Sequence, residues 1–225
     1  MHIFLFIFLI PFFHVTNSVL FGVPAQKSEI SSQVTLFIKF ENDDEVTCGG
    51  VLISKMRILT AAHCVSFNGK KAKIVEIQEI GERRGVYFSR DFDVLENDKA
   101  IIHLNHLLFH TNVAKPSSIP NTFLRTCYAA GQGINQFDEY SESPQKIDIF
   151  LKYKRNMTLA KPLDKSSKFC MGDSGSPVYC RYKDQTILIG VLSSIGTSQK
   201  PSIKGFEMSP AKKCTKFQFA IISRV

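Results

Sequence analysis

One stretch constrains this chain more than any other: Cys170-Met171-Gly172-Asp173-Ser174-Gly175-Ser176-Pro177, running into Val178-Tyr179-Cys180. Two glycines flank an Asp-Ser pair, so the backbone can bend tightly and aim consecutive N–H groups at one point, which is what a developing oxyanion needs. Asp, Gly, Ser and Pro also build ordinary surface turns for local reasons, so the run alone does not distinguish a nucleophile turn from a plain one. A second stretch changes that. Cys48-Gly49-Gly50 opens a segment that passes through the apolar run Val51 to Leu59 and closes at Thr60-Ala61-Ala62-His63-Cys64. A serine hydroxyl of ordinary acidity is a poor nucleophile and needs an imidazole within hydrogen-bond reach to take its proton. His63 is the candidate. A third group must fix the tautomer of that imidazole, and Asn97-Asp98 stands directly before the apolar run Ala100 to Leu104, which makes Asp98 the candidate. Asp91 and Asp93 are its rivals, but neither sits directly before an apolar strand.

These residues, in the order His, Asp, Ser, resemble the chymotrypsin-like (trypsin-fold) secreted serine endopeptidases. The resemblance covers nearly the whole chain after residue 18 and includes Cys127-Tyr128-Ala129-Ala130-Gly131-Gln132-Gly133 and Gly190-Val191-Leu192-Ser193. It implies an all-β fold of two packed Greek-key barrels, the first over about 19–115 and the second over about 116–225. It also implies acyl-enzyme hydrolysis of peptide bonds by a catalytic triad of His63, Asp98 and Ser174. The N–H groups of Gly172 and Ser174 form the oxyanion hole on this reading, and Ser193 is the buried serine beside the aspartate. The disulfides implied are Cys48–Cys64, Cys127–Cys180 and Cys170–Cys214. Six cysteines taken by themselves allow 15 pairings. A zinc cluster is the competing use of cysteine, but the chain has no Cys-x-x-Cys pair, and no metal or cofactor is expected.

Met1 to about Val15 is an apolar run interrupted by Pro11 and too short for a comfortable membrane span. It reads as a signal peptide over 1–18, cleaved after Thr16-Asn17-Ser18. The new terminus Val19-Leu20-Phe21-Gly22 is similar to the mature start of the family, whose freed ammonium pairs with the Asp before the nucleophile, here Asp173. No Arg or Lys precedes Val19. Either signal cleavage itself produces the active terminus, or Val19 is not the true start.

Removing 18 of 225 residues leaves 207, enough for a sizeable core. Short runs rich in β-branched and aromatic residues recur between turn signals, from Val34 to Phe40 through to Phe217 to Ile222, and no long helical period or repeat appears. The polar, Pro-bearing passage Thr111 to Asn121 reads as the link between the barrels. The net charge of +8 is scattered over the surface and comes with no nucleic-acid motif. Asn156-Met157-Thr158 is a glycosylation acceptor pattern.

Two positions depart from the family. Lys168, at the expected floor of the specificity pocket, and Phe169 beside it stand where smaller or acidic residues are usual. Cleavage after Arg or Lys is disfavoured, since two buried like charges repel. Either Lys168 reaches the floor and welcomes an acidic side chain, or it swings out to water while Phe169 fills the pocket and admits only small ones. The chain also stops at Ile222-Ser223-Arg224-Val225, where a closing C-terminal helix is expected, so that helix is missing from this reading. The expected partners are protein or peptide substrates and protein inhibitors, with a monomer, no nucleic acid, and no membrane once the signal is removed. The alternative is a catalytically inactive secreted homologue that binds a partner through the same cleft.

Overall fold

The structure is a computed structural model that describes residues 20–80, 86–108, 111–117, 126–154, 157–196 and 209–225. The expected signal peptide, Val19, and Asn156 lie outside the described residues, as does most of the segment between Gly196 and Cys214. No helix among the described residues is long and apolar enough to cross a membrane.

A two-residue strand β1 (Val23–Pro24) comes first, followed by β2 (Gln33–Phe40), β3 (Glu45–Ser54) and β4 (Arg57–Thr60). A one-turn helix α1 (Ala62–Val65) interrupts the strands before β5 (Ser66–Phe67), β6 (Lys70–Glu79), β7 (Val86–Ser89), β8 (Phe92–Leu95) and β9 (Lys99–His103). Alternation drives the folding of these strands: Val34, Leu36, Ile38 and Phe40 of β2 and Val75 and Ile77 of β6 point into the core, while the alternate residues face the other way, Phe37 and Lys39 toward solvent and Gln33 and Thr35 into a second buried surface. The resulting sheet runs β5-β6-β2-β3-β4-β9-β8, with β7 on β6. Because β7 and β8 are joined by a short turn, the chain itself closes this sheet into a barrel-like ring around a core of Leu36, Leu52, Ile58, Val75 and Ile102.

The second sheet is built from β10 (Thr126–Gly131), β11 (Gln145–Lys154), β12 (Met157–Pro162), β13 (Pro177–Tyr182), β14 (Gln185–Gly196) and β15 (Phe219–Arg224). Its order is β1-β11-β10-β13-β14-β15-β12, and β12 pairs back onto β11, so six strands form a closed ring. Closure removes the edges that would otherwise expose unpaired backbone. A second short helix, α2 (Pro210–Cys214), precedes β15 and begins in the way its sequence favours, with Pro210 in the first turn and the Ser209 hydroxyl accepting from the Lys212 N–H.

The two barrels meet through a separate apolar cluster of Val51, Leu59, Tyr128, Tyr179, Leu188 and Val191. The passage between them is tacked to both: Ala114 N–H donates to the Leu52 carbonyl and Ser117 N–H to that of Leu188. The amino-terminal residues, expected with the first barrel, lie against the second instead, where β1 pairs with β11 and Leu20 bridges Lys168. The strands β8 and β12 and both helices are absent from the runs picked out in the sequence, and β4 was not separated there from the apolar run Val51 to Leu59. Each is four to six residues long, too short for a period to show above composition.

Candidate active site

His63 sits on α1, which is held from two directions. Its neighbour Cys64 is bonded to Cys48 of β3, and Ala62 N–H donates to the Asp98 carbonyl at 3.1 Å. Asn97 and Asp98 both adopt positive φ, 58° and 53°, a left-handed turn that Asn and Asp tolerate better than other side chains. This turn ends immediately before β9 and aims the Asp98 carboxylate at α1. Oδ1 accepts from the His63 backbone N–H at 2.9 Å, and Oδ2 accepts from His63 Nδ1 at 2.9 Å and from Ser193 Oγ at 2.5 Å. Partial burial pushes the Asp98 carboxyl up, but the bonds from the His63 ring, Ser193 and the His63 N–H together outweigh it and hold the group below the usual carboxylate range. An imidazole that donates through Nδ1 keeps Nε2 as an acceptor when neutral, the tautomer a general base requires. Asp93 is engaged elsewhere, accepting from His103 Nε2 at 2.8 Å. The Asp91 carbonyl accepts the His103 N–H.

The serine turn is clamped by both barrels. Gly49 N–H of β3 donates to the Ser174 carbonyl at 2.8 Å, and Gly175 N–H donates to the Leu192 carbonyl of β14 at 2.7 Å. A Cβ at Gly175 would lie 2.2 Å from Thr60 Oγ1 and 2.3 Å from the Gly49 carbonyl oxygen, and φ there is +76°, so only glycine fits this approach. Gly172 has φ +91°. The N–H groups of Gly172 and Ser174 donate to no acceptor among the described residues. His63, Ser174 and Gly172 line one cleft of about 690 Å³ between the barrels.

Asp173, 1% exposed, is buried at the base of the serine turn with its carboxylate toward Gly133 and Cys170. Its carboxylate accepts from Gly133 N–H at 2.9 Å and Cys170 N–H at 2.8 Å. Burial dominates over these two bonds and pushes its pKa up to about 7, and no cation pairs with it among the described residues. Leu20 is buried close by against Ile134, Cys170, Ala211 and Cys214, and its carbonyl accepts the Lys168 N–H at 3.0 Å. The chain therefore enters beside the Cys170 turn one residue after Val19.

Lys168 does not line the cleft. Its ammonium donates to the Lys165 carbonyl at the exposed surface. Of the two expectations for this position, the acid-binding floor is thus not what the structure shows. Phe169 is 2% exposed, packs in the second barrel's core and forms part of the cleft wall with Leu192, Ile195 and Ala220. A ring buried in the core has apolar contacts that a lysine stem on the other face of the chain cannot match.

The cysteines form three bridges, Cys48–Cys64, Cys127–Cys180 and Cys170–Cys214. Tyr140 was not singled out in the sequence. Its ring lies against Gly172, where an added Cβ would come within 2.6 Å of it, and it lines the cleft. The only signal in the sequence is an aromatic residue inside the polar run Asp138 to Ser143.

Comparison with known proteins agrees with this architecture. The family model described as Trypsin matches residues 19–209. Kallikrein 1-related peptidase b22 of Mus musculus is 28% identical over 201 residues, which cover 74% of this chain and 76% of that protein. Ovochymase of Halocynthia roretzi is 26% identical over 193 residues, 69% of this chain but 12% of the much longer relative. The solved structure of HL collagenase has the same fold, with a TM-score of 0.71 and 21% identity over 92% of this chain and 94% of that one. With two barrel-like sheets and a family match over residues 19–209, the chain belongs to the trypsin family of chymotrypsin-like serine proteases.

Proposed function

We propose that the chain is a secreted serine endopeptidase that hydrolyses peptide bonds through an acyl-enzyme, with Ser174 as nucleophile, His63 as general base and acid, and Asp98 as the group that orients the imidazole. The observation that carries this reading is the three-way hold on Asp98: two bonds from His63 and one from Ser193, next to a cleft that Ser174 also lines. Ser174 Oγ attacks the carbonyl carbon as His63 takes its proton. The tetrahedral oxyanion is met by the N–H groups of Gly172 and Ser174, and His63 then returns the proton to the departing amine. Water repeats the sequence on the acyl-enzyme.

Asp173 serves activation in this proposal. A carboxyl pushed up to about 7 by burial gains most from an ammonium brought beside it, and an amine freed at Val19 would start one residue before the buried Leu20. Phe169 sets the specificity: with its ring in the pocket wall, small side chains fit before the scissile bond, and Lys168, turned out to Lys165, does not recruit acidic ones. Secretion is supported by three disulfides, which persist in oxidising compartments. Asn156 would meet the glycosylation machinery on that route.

Labelling with a fluorophosphonate probe tests the proposal. The secreted protein is expected to label at Ser174, with Ser174→Ala unlabelled. A folded protein that stays unlabelled would instead be a homologue that binds a partner without catalysis.

A further inference from the structure

The cleft does not end at the disulfide beside His63. A second groove, of about 330 Å³, adjoins it and shares Val46, Thr47 and Tyr140 with it. The strand registers give this groove its shape. Thr47 of β3 stands opposite Phe37 of β2, Phe37 opposite Glu76 of β6, and Glu76 opposite Phe88 of β7. Residues directly opposite one another point to the same face, so these four side chains form one row across the outside of the first barrel. Three strand spacings make the row about 14 Å long, the span of about four extended residues. Large apolar side chains on it are left in contact with solvent: Phe37 is 39% exposed, Phe88 56% and Tyr140 49%. Glu76, between the two phenylalanines, pairs with no cation among the described residues.

The direction of the groove identifies its occupant, given the triad proposed above. The departing amine must lie on the His63 side of Ser174 to receive the proton, while the oxyanion lies toward Gly172 and Ser174. His63 is joined through Cys64 to Cys48, the neighbour of Thr47. The row therefore leads away from the site on the leaving-group side. We propose that this outer row, Thr47-Phe37-Glu76-Phe88 with Val46 and Tyr140 at its entry, binds the segment of a polypeptide substrate that follows the scissile bond. It selects an extended segment with apolar side chains on either side of a basic one, the rings of Phe37 and Phe88 meeting the apolar groups and the Glu76 carboxylate the cation.

Fluorescence anisotropy on the Ser174→Ala protein tests this. Two labelled peptides share their residues before the cleavage point. One carries two residues after it and the other six, in an apolar-basic-apolar pattern. The longer peptide is expected to bind about tenfold more tightly. That gain should be lost in Phe37→Ser and in Phe88→Ser, weakened in Glu76→Gln for the basic peptide only, and kept in Leu163→Ser, a more exposed apolar residue outside both grooves. No gain with length, or a gain that survives both phenylalanine changes, overturns the proposal. Probe labelling of the protein with Ser174 intact reports separately on catalysis. Labelled protein without the length-dependent gain loses the groove and keeps the peptidase, whereas unlabelled protein with the gain keeps the groove and loses the peptidase.

Discussion

Ser193 and Asp98 illustrate how much of the proposed chemistry depends on single contacts. Oδ2 of Asp98 is shared between the His63 ring and the Ser193 hydroxyl, so Ser193→Ala removes one of the bonds that keep the carboxylate ionised and aligned. A loss of about 1–2 kcal/mol of transition-state stabilisation, roughly tenfold in kcat/KM, is expected from a charge-assisted bond of this kind. Asp98→Asn should cost about 10⁴-fold, the size established for the Ser-His-Asp triad, because an amide donates where a carboxylate accepts and leaves His63 in the wrong tautomer. A pH–rate profile on a small ester checks both. Phe169 and Lys168 are separable in the same way. Phe169→Ala empties core and pocket wall together, so stability should fall by about 3–5 kcal/mol while larger side chains become acceptable before the scissile bond. Lys168→Ala should leave the residue preference unchanged. A peptide library read alongside denaturation midpoints distinguishes the two, and a Lys168→Ala variant with altered preference would count against the outward position of its ammonium.

At the scale of the element, the proposed mechanism makes the turn Gly172 to Ser176 the link between catalysis and the chain's amino terminus. Asp173 is buried and carries a pKa of about 7 against an ordinary value of 3.8. In a form extended at its amino terminus, where no ammonium reaches it, the folded state binds the proton more tightly than the unfolded state between these two values. Stability is then full below about pH 4 and falls as pH rises toward about 7. Asp173→Asn should flatten that fall in the extended form. A chain beginning at Val19 should show the reverse dependence, because the ionised carboxylate then has a partner. Urea midpoints between pH 4 and 8 for the three proteins test this. In the same turn, Gly172→Ala sets a Cβ at φ +91° against the Tyr140 ring. Twisting this N–H away from the oxyanion should lower kcat by about 10²–10³-fold with a much smaller effect on KM.

For the whole molecule, the decisive surface is the contact between the barrels. His63 and Asp98 belong to the helix and a turn of the first barrel and Ser174 to a turn of the second, and Val51, Leu59, Tyr179, Leu188 and Val191 pack between the barrels. Leu188→Ala, fully buried, should cost about 2–5 kcal/mol and loosen the relative position of the two halves. Probe labelling is expected to fall before global unfolding as denaturant is added. The disulfides act on a different quantity. Cys127–Cys180 closes a separation of 53 residues and Cys48–Cys64 one of 16, so the chain-entropy model assigns them about 4 and about 3 kcal/mol.

What the sequence determined by itself was the local chemistry. Strands such as Gln33–Phe40 and Gln145–Lys154 alternate with a period of two, and Gly172 and Gly175 announce a turn whose dihedrals glycine alone adopts easily. His63, Asp98 and Ser174 could be proposed from the sequence as residue types with complementary roles, because each stands in a short motif. Relations between distant segments required the fold. The register of β10 on β13 sets Cys127 opposite Cys180, a pairing that six cysteines leave open. The direction of Lys168 depends on which face of the chain the core takes, and burial of the Phe169 ring decided that. The exposed row of Thr47, Phe37, Glu76 and Phe88 is drawn from four strands. No window of sequence contains it, because side chains become neighbours across a sheet only when strand order and register bring them together.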